Sequence, residues 1–186
     1  VFELLQPGQI LTVQVMKVML GTKGARLSTD LSIPSRYLVM MPYGNHTGVS
    51  QRIESEAERD RLRSMIERIQ AEHKLPGSVI VRTAADGIAE AAIAQDMAYL
   101  AKLWEFIQRK QISIAVPSLI FEELPLPQRI IRDLASEKTA KISVDSREIH
   151  GKLQEFVEEF VPNIKERLIH YPGERPIFDL YNVEED

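Results

Sequence analysis

The stretch Ser78-Val79-Ile80-Val81-Arg82-Thr83-Ala84 joins a short β-branched run to two adjacent polar side chains. Such a run predicts a buried strand, and Asp86-Gly87 just beyond it indicates the opening of a long amphipathic helix. A guanidinium can bind a phosphate through two parallel charge-assisted bonds, a neighbouring hydroxyl can add a donor, and a helix start offers free N–H groups. Arg82 and Thr83 are therefore candidates for an anion-binding pocket. In the alternative interpretation, Arg82 caps the strand and pairs with a surface carboxylate.

The sequence on either side of this stretch alternates strands and helices. An apolar run at residues 37–42 predicts a strand, and a helix is predicted to begin near Ser55, whose spacing to Glu58 fits a capping box. A second helix is predicted at residues 88–109, so residues 31–110 form an α/β unit. The core positions expected from helical spacing are Leu62, Met65, Ile66 and Ile69 on the first helix, and Ala92, Ile93, Met97, Leu100, Trp104 and Ile107 on the second.

Residues 10–29 predict a β-hairpin. Strands at 10–18 and 25–29 flank the loop Gly21-Thr22-Lys23-Gly24, which places Lys23 at or near the tip. Two strands are too few to be stable alone, so we expect them to complete a small barrel whose other strands precede Val1. The loop formally matches the GxxG pattern of KH domains, but strands rather than helices flank it. Lys23 would suit single-stranded nucleic acid, and a solvated hairpin tip is the alternative.

The C-terminal third predicts a second structural unit. Prolines 117, 125 and 127 indicate a connection over residues 111–127. A helix at 128–137, a strand at 141–145 and a longer helix at 147–168, interrupted by Pro162, are predicted to follow. A last apolar segment covers residues 177–181.

Composition excludes several classes of site. The 186 residues are 44% hydrophobic and 27% charged, which is typical of a soluble chain with its own core. Because cysteine is absent, there is no disulfide framework, thiolate zinc site or cysteine nucleophile. This absence, with no membrane-length apolar run and no recognisable secretory signal, predicts a cytoplasmic protein. The net charge of −4 argues against a uniformly basic surface, so any nucleic acid would have to be bound by local basic clusters. The chain starts at Val1 and stops without a turn signal, so we expect a piece of a longer protein.

Three motifs carry a resemblance to a known family. They are GTKGARLSTDLSIPSRYLVMMPYGNHTGVSQRIESEAER (21–59), VIVRTAADG (79–87) and RPIFDLYNVE (175–184), and together they resemble the ribonuclease E/G family, in particular its ribonuclease G branch. The resemblance implies an α+β/α/β multi-domain fragment. Residues 1–30 would be the C-terminal strands of an S1 domain, an OB-type β-barrel; residues 31–125 an α/β 5′-sensor domain; and residues 126–186 a segment of an RNase H-like α/β domain.

The resemblance also implies roles for single residues. Arg82 and Thr83 match the positions that bind the 5′-monophosphate of RNA, and Val39 matches the position whose backbone amide completes that pocket. Arg52 corresponds to a further sensor arginine that supports the 5′ end, and Lys23 to an S1 lysine that contacts single-stranded RNA. No catalytic or metal-binding residue is implied in this chain. The family cleaves RNA with a metal ion, usually Mg²⁺, held by aspartates of a DNase I-like domain that would lie beyond Asp186.

The implied function is that of the RNA-binding, 5′-monophosphate-sensing portion of a single-strand-specific endoribonuclease. The full-length hydrolase would act in rRNA processing and mRNA decay, use magnesium and form homo-oligomers. Its partner would be single-stranded RNA with a 5′-monophosphate, and it would not bind a membrane. The fragment itself is expected not to cleave. Two alternatives stay open, a non-catalytic RNA-binding or scaffold protein that retains the sensor fold and a phosphoprotein-binding site.

Overall fold

The computed structural model describes residues 5–136 and 138–183. The chain divides into two units, Val1–Phe121 and Glu122–Asp186, and this division falls within the proline-bearing connection. Both units mix helices with small sheets, so the mixed α/β class is confirmed. The S1, 5′-sensor and RNase H-like identities of the segments stay predictions. Among the described residues, no helix is both long and apolar enough to cross a membrane.

A short antiparallel hairpin begins the first unit. Strand β1 (Gln14–Lys17) pairs with β2 (Arg26–Ser28), and Leu20 and Lys23 exchange backbone hydrogen bonds of 3.1 and 3.2 Å around the turn. The predicted hairpin is therefore confirmed, with shorter strands than the sequence pattern indicated. Its expected apolar face is exposed in this chain, at Leu11, Val13 and Val15.

A four-stranded sheet contains the stretch that ends at Arg82. Its strands are β3 (Ile33–Pro34), β4 (Leu38–Met41), β5 (Gly48–Val49) and β6 (Ser78–Val81), in the spatial order β3-β4-β6-β5. Strand β4 runs antiparallel to β3 and β6, and β5 runs parallel to β6. The β4 and β6 runs were predicted. The two-residue strands β3 and β5 were missed because an alternating pattern needs several residues to become visible.

Helix α1 (Glu56–His73) connects β5 to β6. The Ser55 hydroxyl accepts the Glu58 N–H at 3.3 Å, which confirms the predicted N-terminus. Lys74, with φ 51°, ends the helix. Gly77, with φ 74°, then turns the chain into β6, where a Cβ would overlap the backbone of the 41–42 turn.

Helix α2 (Glu90–Ser113) packs on the sheet and on α1. It begins two residues later and ends four residues later than the predicted 88–109 range. Four residues of α1 and five of α2 that were expected in the core are buried, whereas Ala92 is half-buried. The buried stripe of α2 also contains a carboxylate, Asp96, whose relative exposure is 7%. Trp104 belongs to the core and meets the ring of Tyr43 edge-on at 6.1 Å.

The second unit contains three α-helices and a parallel strand pair among its described residues. They are α3 (Leu126–Leu134), β7 (Ile142–Val144), α4 (Arg147–Phe160), β8 (Leu168–His170) and α5 (Ile177–Leu180), with β7 paired to β8. The predicted helix at 147–168 is wrong beyond Phe160. Proline lacks an N–H and clashes with the preceding turn, so Pro162–Arg167 forms a 3₁₀ helix and the missed strand β8 follows. Glu137, the predicted end of α3, lies outside the described residues, as does Glu184 of the last motif.

Candidate phosphate-binding site

Arg82 directly follows β6, and its exposed side chain is fixed through one nitrogen of the guanidinium, Nη1. Its N–H donates to the Tyr37 carbonyl at 2.8 Å, and its Nη1 donates to the carbonyls of Ser35 at 2.6 Å and Arg36 at 3.2 Å. Among the described residues Arg82 forms no ion pair, so the surface carboxylate of the alternative interpretation is not observed. A guanidinium carries five N–H donors. The groups on Nε and Nη2 have no hydrogen-bond partner within the described part of the chain.

Thr83 lies next to Arg82 and is joined to the end of β5. Its Oγ1 is 3.1 Å from the Oγ of Ser50, where either hydroxyl can donate. Ser50 also donates its N–H to the Val81 carbonyl at 2.9 Å, because the parallel pairing of β5 with β6 brings the two strand ends together. The sequence reasoning missed Ser50. It is the first residue of the SQRIES segment that contained Arg52, and that position was the available signal.

Arg52 is brought close to the same hydroxyl. It is exposed in the turn after β5, and its N–H donates to the Ser50 Oγ at 3.3 Å. Through Ser50 the structure therefore links two parts of the chain: the strand end that carries Arg82 and Thr83, and the turn that carries Arg52. Arg82 and the hydroxyls of Thr83 and Ser50 follow the carboxyl ends of the parallel strands β5 and β6, and these side chains offer an anion positive charge and donors.

Val39 and Lys23 are placed differently. Val39 lies within β4, half-buried and opposite Ile80, two residues before Arg82 on the partner strand. Because the Arg82 N–H bonds to Tyr37, the alternation of an antiparallel ladder directs the Val39 amide toward Ile80. Lys23 is exposed near the hairpin tip, and no hydrogen bond joins it to Arg82 or Thr83 in the described residues.

The helix start expected beside Arg82 and Thr83 is not formed there. A 3₁₀ turn, Thr83–Ala85, follows Arg82, and α2 begins only at Glu90. Gly87, with φ 67°, lies between them and donates its N–H to the carboxylate of Glu58 at 3.0 Å. This amide is therefore not available to an external anion.

Glu58 connects the start of α1 to this loop. Its two carboxylate oxygens each accept a 2.6 Å bond from Arg61, and Arg61 also donates to the Ile88 carbonyl at 3.1 Å. The Arg61 guanidinium, followed by the Gly87 N–H, lowers the pKa of Glu58 from its ordinary 4.5 to about 2. The predicted capping box is thus only half formed. The Glu58 side chain binds the loop before α2 instead of returning to its own helix N-terminus.

A second missed residue, Asp96, lies behind the segment that holds Arg82. Its Oδ2 accepts bonds from the Ser35 hydroxyl at 2.6 Å and from the amides of Tyr37 at 2.8 Å and Leu38 at 3.1 Å. Its Oδ1 accepts the Arg36 N–H at 3.2 Å. Burial raises the pKa of Asp96 and outweighs these hydrogen bonds, which lower it. The available signal was a lone carboxylate inside the apolar stripe of a predicted helix.

Within 5–136 and 138–183, no group of three or more histidine, cysteine, aspartate or glutamate residues could hold a metal ion. The Arg82 guanidinium and the Thr83 hydroxyl are groups that can supply positive charge and a donor to an anion.

A family model for the ribonuclease E/G family matches residues 32–186. The chain belongs to the ribonuclease E/G family. The resemblance inferred from the three motifs is thereby confirmed. Ribonuclease G of Escherichia coli (strain K12) is 47% identical over 184 residues, and ribonuclease G of Haemophilus influenzae is 46% identical over 182 residues. Ribonuclease E of Nostoc sp. is 35% identical over 184 residues.

These alignments cover most of the chain but only part of each relative. They include 99%, 98% and 97% of this chain and 37%, 36% and 26% of the respective relatives. The chain therefore spans little more than a third of the length of the ribonuclease G proteins it matches. These matches establish the family of this chain. The activity of a full-length enzyme belongs to the proposal below.

Proposed function

We propose that this chain is the RNA-binding and 5′-monophosphate-sensing portion of a single-strand-specific endoribonuclease of the ribonuclease E/G family. One observation carries the proposal: Arg82 is anchored through Nη1, while Nε and Nη2 have no partner within the described residues, and Thr83 follows it directly in the chain. An open guanidinium edge matches two oxygens of a phosphate group in a planar fork. We therefore assign the contacts that select a 5′-monophosphate to Arg82 and Thr83.

The other residues have supporting parts in this proposal. Arg52, whose backbone N–H is bonded to the Ser50 hydroxyl, would add a second positive charge. The Val39 amide would be a third donor that shares its N–H between Ile80 and the phosphate. Lys23 would contact the RNA backbone downstream of the 5′ end, since positive charge on an exposed loop follows phosphates. As the proposal has it, the full-length enzyme processes rRNA and degrades mRNA in the cytoplasm as a homo-oligomer, with its magnesium ligands in a further domain.

The expected selectivity follows from the charge of the terminal group. A hydrogen bond to a charged partner contributes about 1.5–3 kcal/mol, and exposure to water reduces that contribution here. A 5′-hydroxyl offers no such partner, so its RNA loses at least one of these bonds. Because 1.4 kcal/mol corresponds to about tenfold in affinity, we expect roughly tenfold tighter binding of 5′-monophosphorylated RNA.

The test compares two short single-stranded RNAs that differ only at the 5′ end. Titrations of the 186-residue chain with 5′-monophosphate and 5′-hydroxyl RNA, labelled at the 3′ end, give the affinity ratio. Arg82→Ala is expected to bring this ratio close to one, and Arg82→Lys to recover part of it, since lysine keeps the charge without the fork. Arg63→Ala is the matched control, because Arg63 is an exposed arginine of α1 that pairs with Asp60. Equal affinities for both RNAs in the unmodified chain would refute the proposal.

A further inference from the structure

We propose that Asp96 is a positioning residue for phosphate recognition, acting on Arg82 through the backbone segment Ser35–Leu38. This inference rests on the proposed function, since it concerns the orientation of the same arginine. Within the described part of the chain, no hydrogen bond or ion pair joins Asp96 to Arg82 directly. Its effect would pass through four residues that it binds directly.

The segment 35–38 is held from two directions. Its donors, which are the Ser35 hydroxyl and three successive amides, all converge on the Asp96 carboxylate. Its carbonyls at Ser35, Arg36 and Tyr37 all accept hydrogen bonds from Arg82. A backbone fixed by its N–H groups on Asp96 therefore presents its oxygens to Arg82 in one orientation.

A carboxylate is suited to this role. Four donors need several acceptor lone pairs in a small space, and an ionised carboxylate supplies about four on two oxygens. An alanine at this position would leave three amides without their acceptor, and the Ser35 hydroxyl would keep only the Leu38 carbonyl, 3.0 Å away. The segment would then be free to rotate its carbonyls away from Arg82.

Movement of segment 35–38 should affect the orientation of Arg82 directly, because the guanidinium is anchored to this segment. Among the described residues, Nη1 bonds only to the carbonyls of Ser35 and Arg36. If the segment moves, Arg82 keeps its charge and its place after β6 but loses the fixed direction of its open edge. Non-selective attraction to RNA should survive, whereas the preference for a 5′-monophosphate should fall.

The experiment measures the ratio of affinities for 5′-monophosphate and 5′-hydroxyl RNA in the 186-residue chain. We expect Asp96→Ala to reduce a roughly tenfold preference to less than about twofold, with affinity for the 5′-hydroxyl RNA changed by less than about twofold. Asp96→Asn should retain an intermediate ratio, because its carboxamide oxygen can still accept some of the N–H groups while its NH₂ faces donors. Leu103→Ala is the control. It removes a buried side chain from the same helix without removing a hydrogen bond, so it should lower the melting temperature and leave the ratio intact.

The outcomes separate the two claims. If the unmodified chain shows no preference, the proposed function and this inference both fail. If the unmodified chain discriminates and folded Asp96→Ala discriminates equally well, only the inference fails. Should Asp96→Ala not fold, the Asp96→Asn chain decides, and an unchanged ratio in that folded variant overturns the inference.

Discussion

Thr83 shows how the structure holds a single hydroxyl of the candidate site. Thr83 is exposed, and its Oγ1 is 3.1 Å from the Ser50 hydroxyl. The Thr83 hydroxyl therefore already has one hydrogen-bond partner within the protein. A hydroxyl has one hydrogen and two lone pairs. When Ser50 donates to Thr83, the Thr83 hydrogen is free to point at a phosphate oxygen.

Replacing this hydroxyl by a methyl group tests its part in selection. Thr83→Val keeps the β-branched shape and removes the donor, so we expect affinity for 5′-monophosphate RNA to fall about fivefold, which corresponds to about 1 kcal/mol. Thr83→Ser should recover most of the loss, and affinity for 5′-hydroxyl RNA should not change in either variant. The same paired titrations measure this. A normal ratio in Thr83→Val would remove Thr83 from the site.

Glu58 illustrates how elements are joined next to the site. The first turn of α1 carries this carboxylate, and the loop that precedes α2 supplies its Gly87 partner, 29 positions away in sequence. Arg61 closes the link by bonding both Glu58 and the Ile88 carbonyl. The segment that follows Arg82 and Thr83 is thus fastened to α1 through an ionised side chain.

The pH dependence of folding should report this link. Because the folded state lowers the pKa of Glu58 from 4.5 to about 2, the stabilisation is present above pH 4.5 and is lost as the pH falls toward 2. Glu58→Gln should therefore be less stable than the unmodified chain near neutral pH, and the two free energies of unfolding should converge in acid. Urea unfolding of both chains across this range measures the difference. A difference that stays constant from neutral pH to pH 2 would contradict the link.

The same residue shows where local sequence rules stop. Ser55 and Glu58 have capping-box spacing, and the hydroxyl half of the motif forms as expected. The carboxylate half does not, because a tertiary partner, Gly87, and a neighbouring arginine bind Glu58 instead. Spacing predicts which groups can meet within one turn, and it carries no information about a loop that folds back from elsewhere.

At the scale of the molecule, the candidate site belongs to one of the two units. Arg82, Thr83, Ser50, Arg52 and Asp96 all lie within Val1–Phe121. Most of the buried apolar side chains among the described residues also belong to this unit, including the helix stripes of α1 and α2. Recognition of a 5′ end should accordingly need only this part of the chain.

Separating the units tests that expectation. A chain of residues 1–121 should fold and should keep the ratio of affinities for 5′-monophosphate and 5′-hydroxyl RNA within about twofold of the 186-residue chain. Circular dichroism and a thermal melt confirm folding, and the paired RNA titrations give the ratio. Loss of the ratio in a folded 1–121 chain would show that residues 122–186 contribute to selection.

The sequence alone determined the parts that depend on near neighbours. Helical spacing indicated α1, α2 and α4, β-branched and apolar runs indicated β4 and β6, and the glycine-bounded loop indicated the hairpin. Motif order determined the family, and the Arg82-Thr83 dipeptide after a strand was recognisable as a candidate anion site. These features rest on periodicity, capping and local chemistry, which act over a few residues.

Tertiary structure decided how that dipeptide is held. Ser50 reaches Thr83 across 33 positions, Ser35 reaches Arg82 across 47, and Asp96 reaches Ser35 across 61. Each pairing depends on which strands lie side by side and where α2 packs, and two-residue strands such as β3 and β5 leave no periodic trace in the sequence. The sequence therefore predicts a phosphate-binding arginine, and the orientation of Arg82 is fixed by non-local hydrogen bonds that form only after the sheet and α2 have assembled.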